Sequence, residues 1–265
     1  RGRGMSERVS ARTYWIGYQT ILIKELTRIL RIWAQTLIPP VITMSLYFVI
    51  FGAIIGRRVG EMGGLPYMDF IVPGLIMLSV ITNSYGNITS SFFGAKFGRH
   101  VEELLVSPLP PWIILAGYVS GAVFRAVIVG LLVWVIAGIF SGFHMHNIWV
   151  TVSILILTSV VFALGGFINA IFAQKFDDIS IIPTFVLQPL TYLGGVFFSI
   201  SLLPGVWQSI SMINPIVYMV SAFRYGLLGV SDIPLWIAYS LVLAFGAVLF
   251  FICMTLLKRG VGLRS

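Results

Sequence analysis

The chain has 265 residues, of which 58% are hydrophobic and only 10% are charged, with a formal net charge of +8. A water-soluble domain carries charged residues at about a quarter of its positions, so this composition excludes an ordinary soluble enzyme. The single cysteine, Cys253, excludes a disulfide within one copy of the chain and a C-x-x-C metal motif.

The positive charge is concentrated at the two ends of the chain. Basic residues precede the first hydrophobic run (Arg8, Arg12, Lys24, Arg28, Arg31) and follow the last (Lys258, Arg259, Arg264). Lys and Arg beside membrane spans stay on the cytoplasmic side, where they face anionic lipid. This distribution predicts that both termini are cytoplasmic and that the charge serves the membrane surface, with no nucleic-acid partner.

The first segment of the chain predicts an amphipathic helix over residues 13–33. Apolar side chains recur every three or four residues (Trp15, Tyr18, Leu22, Leu26, Ile29, Trp33), and polar ones fill the other side (Gln19, Lys24, Glu25, Arg28, Arg31). This pattern is typical of a helix that lies in the membrane interface. We therefore divide the chain into an N-terminal tail with this connecting helix, 1–33, and a transmembrane domain, 34–265.

Six hydrophobic runs follow, each long enough to cross a bilayer core about 30 Å thick. They cover approximately 34–56, 68–93, 112–140, 148–172, 179–198 and 233–257. The sequence thus predicts an all-α polytopic membrane protein with six transmembrane helices. Between the fifth and sixth spans, residues 199–231 are apolar but broken by Pro204, Asn214 and Pro215, which favours two short helices re-entering the outer half of the bilayer.

A few polar residues lie inside the spans. Asn83, Asn87 and Gln188 are candidates for lining a substrate pathway, although such residues also hydrogen-bond one helix to another. Arg125 could contact an anionic substrate, form a conformational ion pair, or snorkel to the inner headgroups. On the same span, Gly117-x-x-x-Gly121 allows a neighbouring helix to approach closely.

The residues that could carry chemistry form no catalytic set. The chain contains no Walker A motif, H-E-x-x-H or G-x-S-x-G. His144 and His146 provide two of the three or four ligands that a metal needs, so we predict no metal site and no catalytic residue. The charged segment 96–106 predicts instead a short helix exposed between two spans, a natural docking element for a soluble partner. Asp177 and Asp178 are expected to cap the fifth span.

Several motifs, in this order, resemble the ABC-2 family of ABC transporter permeases, over essentially the whole chain. They are Tyr67-Met68-Asp69-Phe70-Ile71-Val72-Pro73-Gly74-Leu75, Glu102-Glu103-Leu104-Leu105-Val106-Ser107-Pro108-Leu109-Pro110, Phe176-Asp177-Asp178-Ile179-Ser180, Tyr192-Leu193-Gly194-Gly195-Val196-Phe197-Phe198, Leu203-Pro204, Ile213-Asn214-Pro215 and Phe223-Arg224-Tyr225-Gly226. The resemblance is greatest to small bacterial exporter permeases. The large outer domains of some relatives are absent.

This resemblance implies a homodimer of the chain in the bacterial inner membrane, bound to two copies of an ATP-binding subunit that holds ATP and Mg. It implies that 96–106 is the coupling helix and that 176–178 form a second, smaller contact. It also implies that the amphipathic helix 13–33 is the connecting helix, near the ATP-binding subunit. The implied coupling residues are Lys96, Phe97, Arg99, His100, Glu102, Glu103, Leu104, Leu105, Asp177 and Asp178. The implied outer gate contains Pro204, Asn214, Pro215 and Arg224.

The resulting hypothesis is an exporter permease for a lipophilic, lipid-like or glycan substrate, with no cofactor bound to this chain. Two other classes remain. An ion-coupled secondary transporter predicts intramembrane carboxylates and an internal repeat, whereas Asp69 and Asp232 lie at span margins and no repeat is evident. An intramembrane enzyme predicts a catalytic cluster near a membrane boundary.

Overall fold

The structure, a computed structural model, describes residues 10–263 and is almost entirely helical. The predicted N-terminal tail up to residue 9, with Arg8, and the basic Arg264 lie outside the described residues. In chain order the helices are α1 Ala11–Arg31, α2 Trp33–Val59, α3 Tyr67–Phe97, α4 His100–Val106, α5 Pro111–Ser141, α6 Ile148–Phe172, α7 178–192, α8 Gly205–Ser211, α9 Pro215–Leu228 and α10 Leu235–Arg259. One short antiparallel pair, β1 Glu61–Met62 and β2 Leu65–Pro66, joins α2 to α3.

Five helices, α2, α3, α5, α6 and α10, are long and apolar enough to cross a membrane. They contain 25 to 31 residues, which corresponds to about 38–47 Å at the helical rise. The prediction of an all-α polytopic membrane protein is confirmed at this level.

The predicted fifth span differs from the other five. Residues 178–192 form a helix with a wider π turn at Pro183–Leu187, and the helix ends at Tyr192 instead of reaching Phe198. Pro183 and Pro189 lack the backbone N–H that a helical hydrogen bond requires. Gly194 and Gly195 follow the helix, and Gly195 has φ +79°. At about 22 Å, α7 alone is shorter than the hydrocarbon core.

Although α7 is short, its segment runs the full length of α3. Just before α7, the Phe176 ring lies 4.9 Å from that of Phe93, near the last turn of α3. After α7, the carbonyl of Phe197 accepts a 2.7 Å hydrogen bond from the hydroxyl of Tyr67, the first residue of α3. The chain therefore passes from one end of the bundle to the other over this segment.

The segment 199–231 contains two short helices, α8 and α9, and starts and finishes at the same end of the bundle. The Ser199 hydroxyl donates to a carboxylate oxygen of Asp232 over 3.3 Å. Between these points, Asn214 caps α9 by accepting from the Ile216 N–H, and its side-chain amide donates to the Leu190 carbonyl over 2.7 Å. The segment thus enters the bundle as far as the last turn of α7 and returns.

Helix α3 is the centre of the bundle, because α5, α6 and α9 all pack against it. Its side chains are buried on all sides along most of its length. At one end, which we call the basic end, α1, α4 and the last turns of α3, α6 and α10 share an apolar cluster that includes Ile21, Val101 and Leu257. Lys258 and Arg259 end α10 there.

Helix α1 lies against α5 through the predicted small-residue motif. A Cβ atom at Gly117 would lie 2.5 Å from Ile21, and one at Gly121 would lie 2.7 Å from the Cβ of Glu25. These glycines therefore allow α1 to approach closely. One residue of α1 departs from the predicted pattern: Glu25, placed on the polar side of the helix, is 2% exposed.

Candidate functional site

The predicted docking helix begins later than expected. Helix α3 continues through Phe97, and Gly98 and Arg99 form a turn before α4 starts at His100. Arg99 has φ +61°, the one positive φ among the non-glycine residues of 10–263. Lys96 therefore belongs to α3, and its ammonium donates to the carbonyls of Ile171 (2.5 Å) and Ala173 (2.6 Å). These bonds serve carbonyls at the end of α6 that lack helical partners.

The two predicted partner contacts, 96–106 and 176–178, form one continuous surface at the basic end. The rings of Phe97 and Phe176 lie 5.1 Å apart, and both side chains are more than half exposed. The backbone N–H groups of Gln174 and Lys175 donate to Asp178, which lowers the pKa of its carboxyl. We name Phe97, Arg99, Glu102, Glu103, Phe176 and Asp177 the docking surface, since all six side chains are exposed.

The other predicted coupling residues lie behind or beside this surface. Leu104 and Leu105 are half-buried and pack against the apolar cluster of the basic end. His100 faces a crevice of about 490 Å³ between α1 and α3, whose other lining residues include Lys24, Arg28 and Arg31. Lys96 and Asp178 are engaged by neighbouring backbone, so they hold the surface together.

A second site is a cleft of about 260 Å³ surrounded by α2, α3, α5 and α7. Three of the four predicted pathway residues, Asn83, Arg125 and Gln188, line it. The other polar and aromatic lining residues are Gln35, Thr36, Thr43, Tyr47, Ser79, Thr82 and Tyr192. Asn87, the fourth predicted residue, is fully buried one helical turn from Asn83 and is not among the lining residues.

The Arg125 guanidinium contacts amide side chains of α3. Its Nε donates to the Asn83 Oδ1 over 3.3 Å, and its Nη1 lies 3.5 Å from the Asn87 Oδ1. These partners lie ten and fourteen residues before Phe97, or about 15–21 Å along the axis of α3. The guanidinium thus points into the polar interior beside the cleft, which disfavours snorkelling to the basic end.

The sequence prediction missed two charged members of this polar region, Arg28 and Glu25. The Arg28 Nη2 donates to the Asn87 Oδ1 over 2.7 Å and lies 3.5 Å from the Glu25 Oε2. The other Glu25 oxygen accepts from the Ser91 hydroxyl over 2.5 Å. A signal was present: Glu25 and Arg28 are three residues apart, and Asn87 and Ser91 four apart, so each pair shares a helix face.

Four aromatic residues close the cleft at the end away from the basic end, and these were also missed. The Tyr47 and Tyr192 hydroxyls are 3.2 Å apart, and the rings of Phe51 and Phe197 lie 4.5 Å apart. The ring of Tyr47 also contacts those of Phe51 and Phe197. We name Tyr47, Phe51, Tyr192 and Phe197 the aromatic lid.

Three of the predicted outer-gate residues lie at the starts of α8 and α9, and the fourth, Arg224, lies inside α9. Pro204 precedes α8, while Asn214 and Pro215 begin α9. Arg224 is 4% exposed and donates to the carbonyls of Gly195 (2.9 Å) and Phe70 (3.3 Å), with its guanidinium 3.9 Å from the centre of the Phe70 ring. It therefore fastens α9 to α3 and to the segment after α7.

The two histidines that were weighed as metal ligands are directed apart. His144 lies 3.7 Å from a carboxylate oxygen of Asp69, whereas the His146 ring packs edge-on against Tyr225. Within residues 10–263, no three side chains of His, Cys, Asp or Glu come together as a metal site would require.

Comparison with known proteins assigns the family. Residues 17–228 match the model of the ABC-2 type transporter family. The chain is 57% identical to the inner membrane transport permease YadH of Escherichia coli strain K12 over 253 residues, which cover 95% of this chain and 98% of that protein. It is 24% identical to nodulation protein J of Rhizobium meliloti strain 1021, over 81% of this chain and 82% of that protein. The chain therefore belongs to the ABC-2 type transporter family and is a transmembrane permease subunit of an ABC transporter.

Proposed function

We propose that this chain is the permease of an ATP-driven exporter in the bacterial inner membrane, and that it moves a lipophilic, lipid-like or glycan substrate outward. Two copies of the chain pair with two ATP-binding subunits, which hold ATP and Mg and carry out the hydrolysis. The family supports a partner of this kind, and the name of the similar Escherichia coli permease supports the inner membrane.

In this proposal the chain crosses the membrane six times, with both termini in the cytoplasm. The passage of 178–197 along the whole of α3 supports a sixth crossing, completed by the non-helical residues after Tyr192. The position of α1, Lys175, Lys258 and Arg259 at the basic end supports a cytoplasmic location for that end. The segment 199–231 then enters from the outer side.

The observation that carries the proposal is the docking surface. Exposed aromatic rings from two separate loops meet beside exposed charges, which is the combination expected of a protein interface. Lipid would not cover this surface, because it lies at and beyond the last residue of α3, among charged residues. A soluble ATP-binding subunit would bury both rings together.

The substrate pathway is proposed to lie between the two copies, along α2 and α7. These helices expose apolar side chains such as Ile42, Ile181 and Phe185, and both line the cleft. The aromatic lid would close the pathway on the outer side, and α8 and α9 would form the gate beyond it.

Purification from native membranes in mild detergent tests the assembly. We expect an ATP-binding subunit to copurify in a two-plus-two complex, and ATP to drive transport in proteoliposomes. A permease that remains without an ATPase in nanodiscs as well as in detergent would contradict the proposal.

Three alanine variants, two single and one double, test the docking surface and Leu105 behind it. Phe97→Ala and Phe176→Ala should each lower affinity for the ATP-binding subunit, and Glu102→Ala with Leu105→Ala should uncouple ATP hydrolysis from transport. Phe251→Ala is the matched control, because it removes an equally exposed ring from α10. Equal affinity and full transport in all variants would show that the partner docks elsewhere.

One observation favours the alternative of an ion-coupled secondary transporter: the carboxylate of Glu25 is buried. Its pairing with Arg28 and Ser91 near the basic end favours a structural ion pair. Substrate transport by the chain alone, driven by an ion gradient without any ATPase, would establish the alternative.

A further inference from the structure

The polar region between α1, α3 and α5 contains more hydrogen-bond donors than acceptors. The oxygen of one amide, Asn87 Oδ1, is approached by two guanidinium groups, from Arg28 at 2.7 Å and from Arg125 at 3.5 Å. Three buried atoms of this region have no hydrogen-bond partner among the described residues: the donors Asn87 Nδ2 and Arg28 Nε, and the acceptor Glu25 Oε2, which lies 3.5 Å from Arg28 as an ion pair. Buried polar groups are nearly always paired, so this excess of donors calls for an explanation.

The charges show the same imbalance. Two arginines share this region with one carboxylate, Glu25, which is already engaged by Ser91 and Arg28. Within 10–263, no carboxylate oxygen lies within 4 Å of Arg125. Arg125 is partly buried, and a partly buried cation whose partners are neutral amides has the surroundings that attract an anion.

The two arginines that approach Asn87 line two different spaces in the protein. Arg28 lines the crevice at the basic end, together with Lys24, Arg31 and His100. Arg125 lines the cleft, together with Asn83 and Gln188. The two guanidinium groups that approach the Asn87 amide thus line different spaces.

We infer that Arg28, Asn87 and Arg125 form a binding site for the anionic headgroup, phosphate or carboxylate, of the transported amphiphile. The headgroup would enter from the basic crevice, pair with Arg28, and pass to Arg125 as Asn87 turns aside. The apolar part of the molecule would lie along the exposed helices α2 and α7. This inference rests on the proposed export function and narrows its substrate to anionic amphiphiles.

Binding to the permease alone tests the inference without requiring an ATPase. The full chain is placed in nanodiscs of phosphatidylcholine, and binding of radiolabelled hexadecyl phosphate is compared with that of hexadecylphosphocholine, after subtraction of empty discs. The two probes share one alkyl chain and differ in headgroup charge. We expect the chain to bind hexadecyl phosphate at least tenfold more tightly than the zwitterionic hexadecylphosphocholine, and equal binding of the two probes would overturn the inference.

Variants that remove one positive charge test whether Arg28 and Arg125 cause the preference for hexadecyl phosphate. Arg28→Gln and Arg125→Gln should each weaken binding of hexadecyl phosphate roughly tenfold to a hundredfold, the range for losing one charge-assisted hydrogen bond, and so remove most of its preference over hexadecylphosphocholine. Arg12→Gln is the control, because it removes an exposed charge from α1 outside the site. A preference that falls equally in the control would show general surface attraction and would overturn the assignment.

Asn87→Asp keeps the test decisive even where an arginine variant fails to fold. Its carboxylate would provide both guanidinium groups with a partner, so the variant should unfold at a higher temperature and lose the preference for the phosphate. Retention of the full preference would overturn the inference.

A last experiment distinguishes a transported substrate from ordinary membrane lipid as the occupant of the site. Discs that contain one-fifth phosphatidylglycerol should leave hexadecyl phosphate bound, whereas complete displacement would assign the site to ordinary anionic lipid and overturn the substrate assignment. These results are distinguishable from failure of the export proposal, since that is decided by the ATP-binding partner and by ATP-driven transport.

Discussion

Replacement of Glu25 by alanine removes the one carboxylate buried between α1 and α3. Glu25 is 2% exposed, and its two oxygens engage the Ser91 hydroxyl at 2.5 Å and the Arg28 guanidinium at 3.5 Å. Glu25→Ala leaves the Ser91 hydroxyl without its acceptor and the Arg28 guanidinium without its carboxylate. We therefore expect α1 to lose much of its attachment to the bundle.

The size of the effect follows from the burial of the pair. Removing one partner of a buried ion pair costs about 3–5 kcal/mol. The Arg28 side chain is 24% exposed, so water can compensate part of the loss, and we expect a value near the lower limit, about 3 kcal/mol. For a chain of this size, that corresponds to a decrease of roughly 6–12 °C in the unfolding midpoint.

The assay is thermal unfolding of the purified chain in one detergent, followed by circular dichroism. Glu25→Gln should give an intermediate decrease, because the amide oxygen still accepts from Ser91 but carries no charge for Arg28. Lys24→Ala, an exposed neighbour on the same helix, should shift the midpoint by less than 2 °C, about 0.5 kcal/mol. Equal shifts for Glu25→Ala and Lys24→Ala would refute the view that this pair fastens α1.

Four further substitutions test the packing and the turn, all by the same thermal assay. Gly121→Ala should destabilise by about 1–3 kcal/mol because the new Cβ lies 2.7 Å from that of Glu25, whereas Gly86→Ala, which meets open space, should stabilise by up to about 1 kcal/mol. Arg99→Gly should stabilise the fold by about 1–2 kcal/mol, since φ of Arg99 is +61°. Weaker binding of the ATP-binding subunit by this variant would identify the guanidinium as a contact. Arg224→Met should cost about 1.5–3 kcal/mol because it removes the donor to Gly195. An unchanged midpoint for any destabilising variant would contradict the contact on which it rests.

Long uninterrupted apolar runs could be predicted from the sequence with little error. The predicted span 148–172 coincides with α6, and the prediction of 112–140 differs from α5 by one residue at each end. Asn147 caps the first of these helices, and a proline begins the second. The short α7 was harder to predict, because its composition is apolar throughout and only its two prolines and the glycine pair mark where the helix widens and ends.

The polar side chains of the cleft were predictable as individuals, while their arrangement was not. Asn83, Arg125 and Gln188 stand out because polar groups are costly inside a membrane, and the structure brings them together. Glu25 was predicted to lie on the polar side of an interfacial helix because α1 has an amphipathic pattern. Its burial depends on Ser91 and Gly121, which are distant in sequence, so the helical period of α1 alone could not reveal it.

Helix α3 physically connects the docking surface with the polar region around Asn87, and this connection matters for the proposed transport cycle. Phe97 of the docking surface and Asn87 of the polar interior belong to one continuous helix and lie about 15 Å apart along its axis. The turn at Gly98 and Arg99 separates α4 from this helix, whereas the bonds from Lys96 to the end of α6 hold α3 and α6 together. A force applied by the partner at Phe97 would therefore displace α3 with α6 and carry Asn87 with them. Because α2 and α7 form the other walls of the cleft, we expect such a displacement to change the width of the cleft and the contacts of Arg28 and Arg125 with Asn87 together.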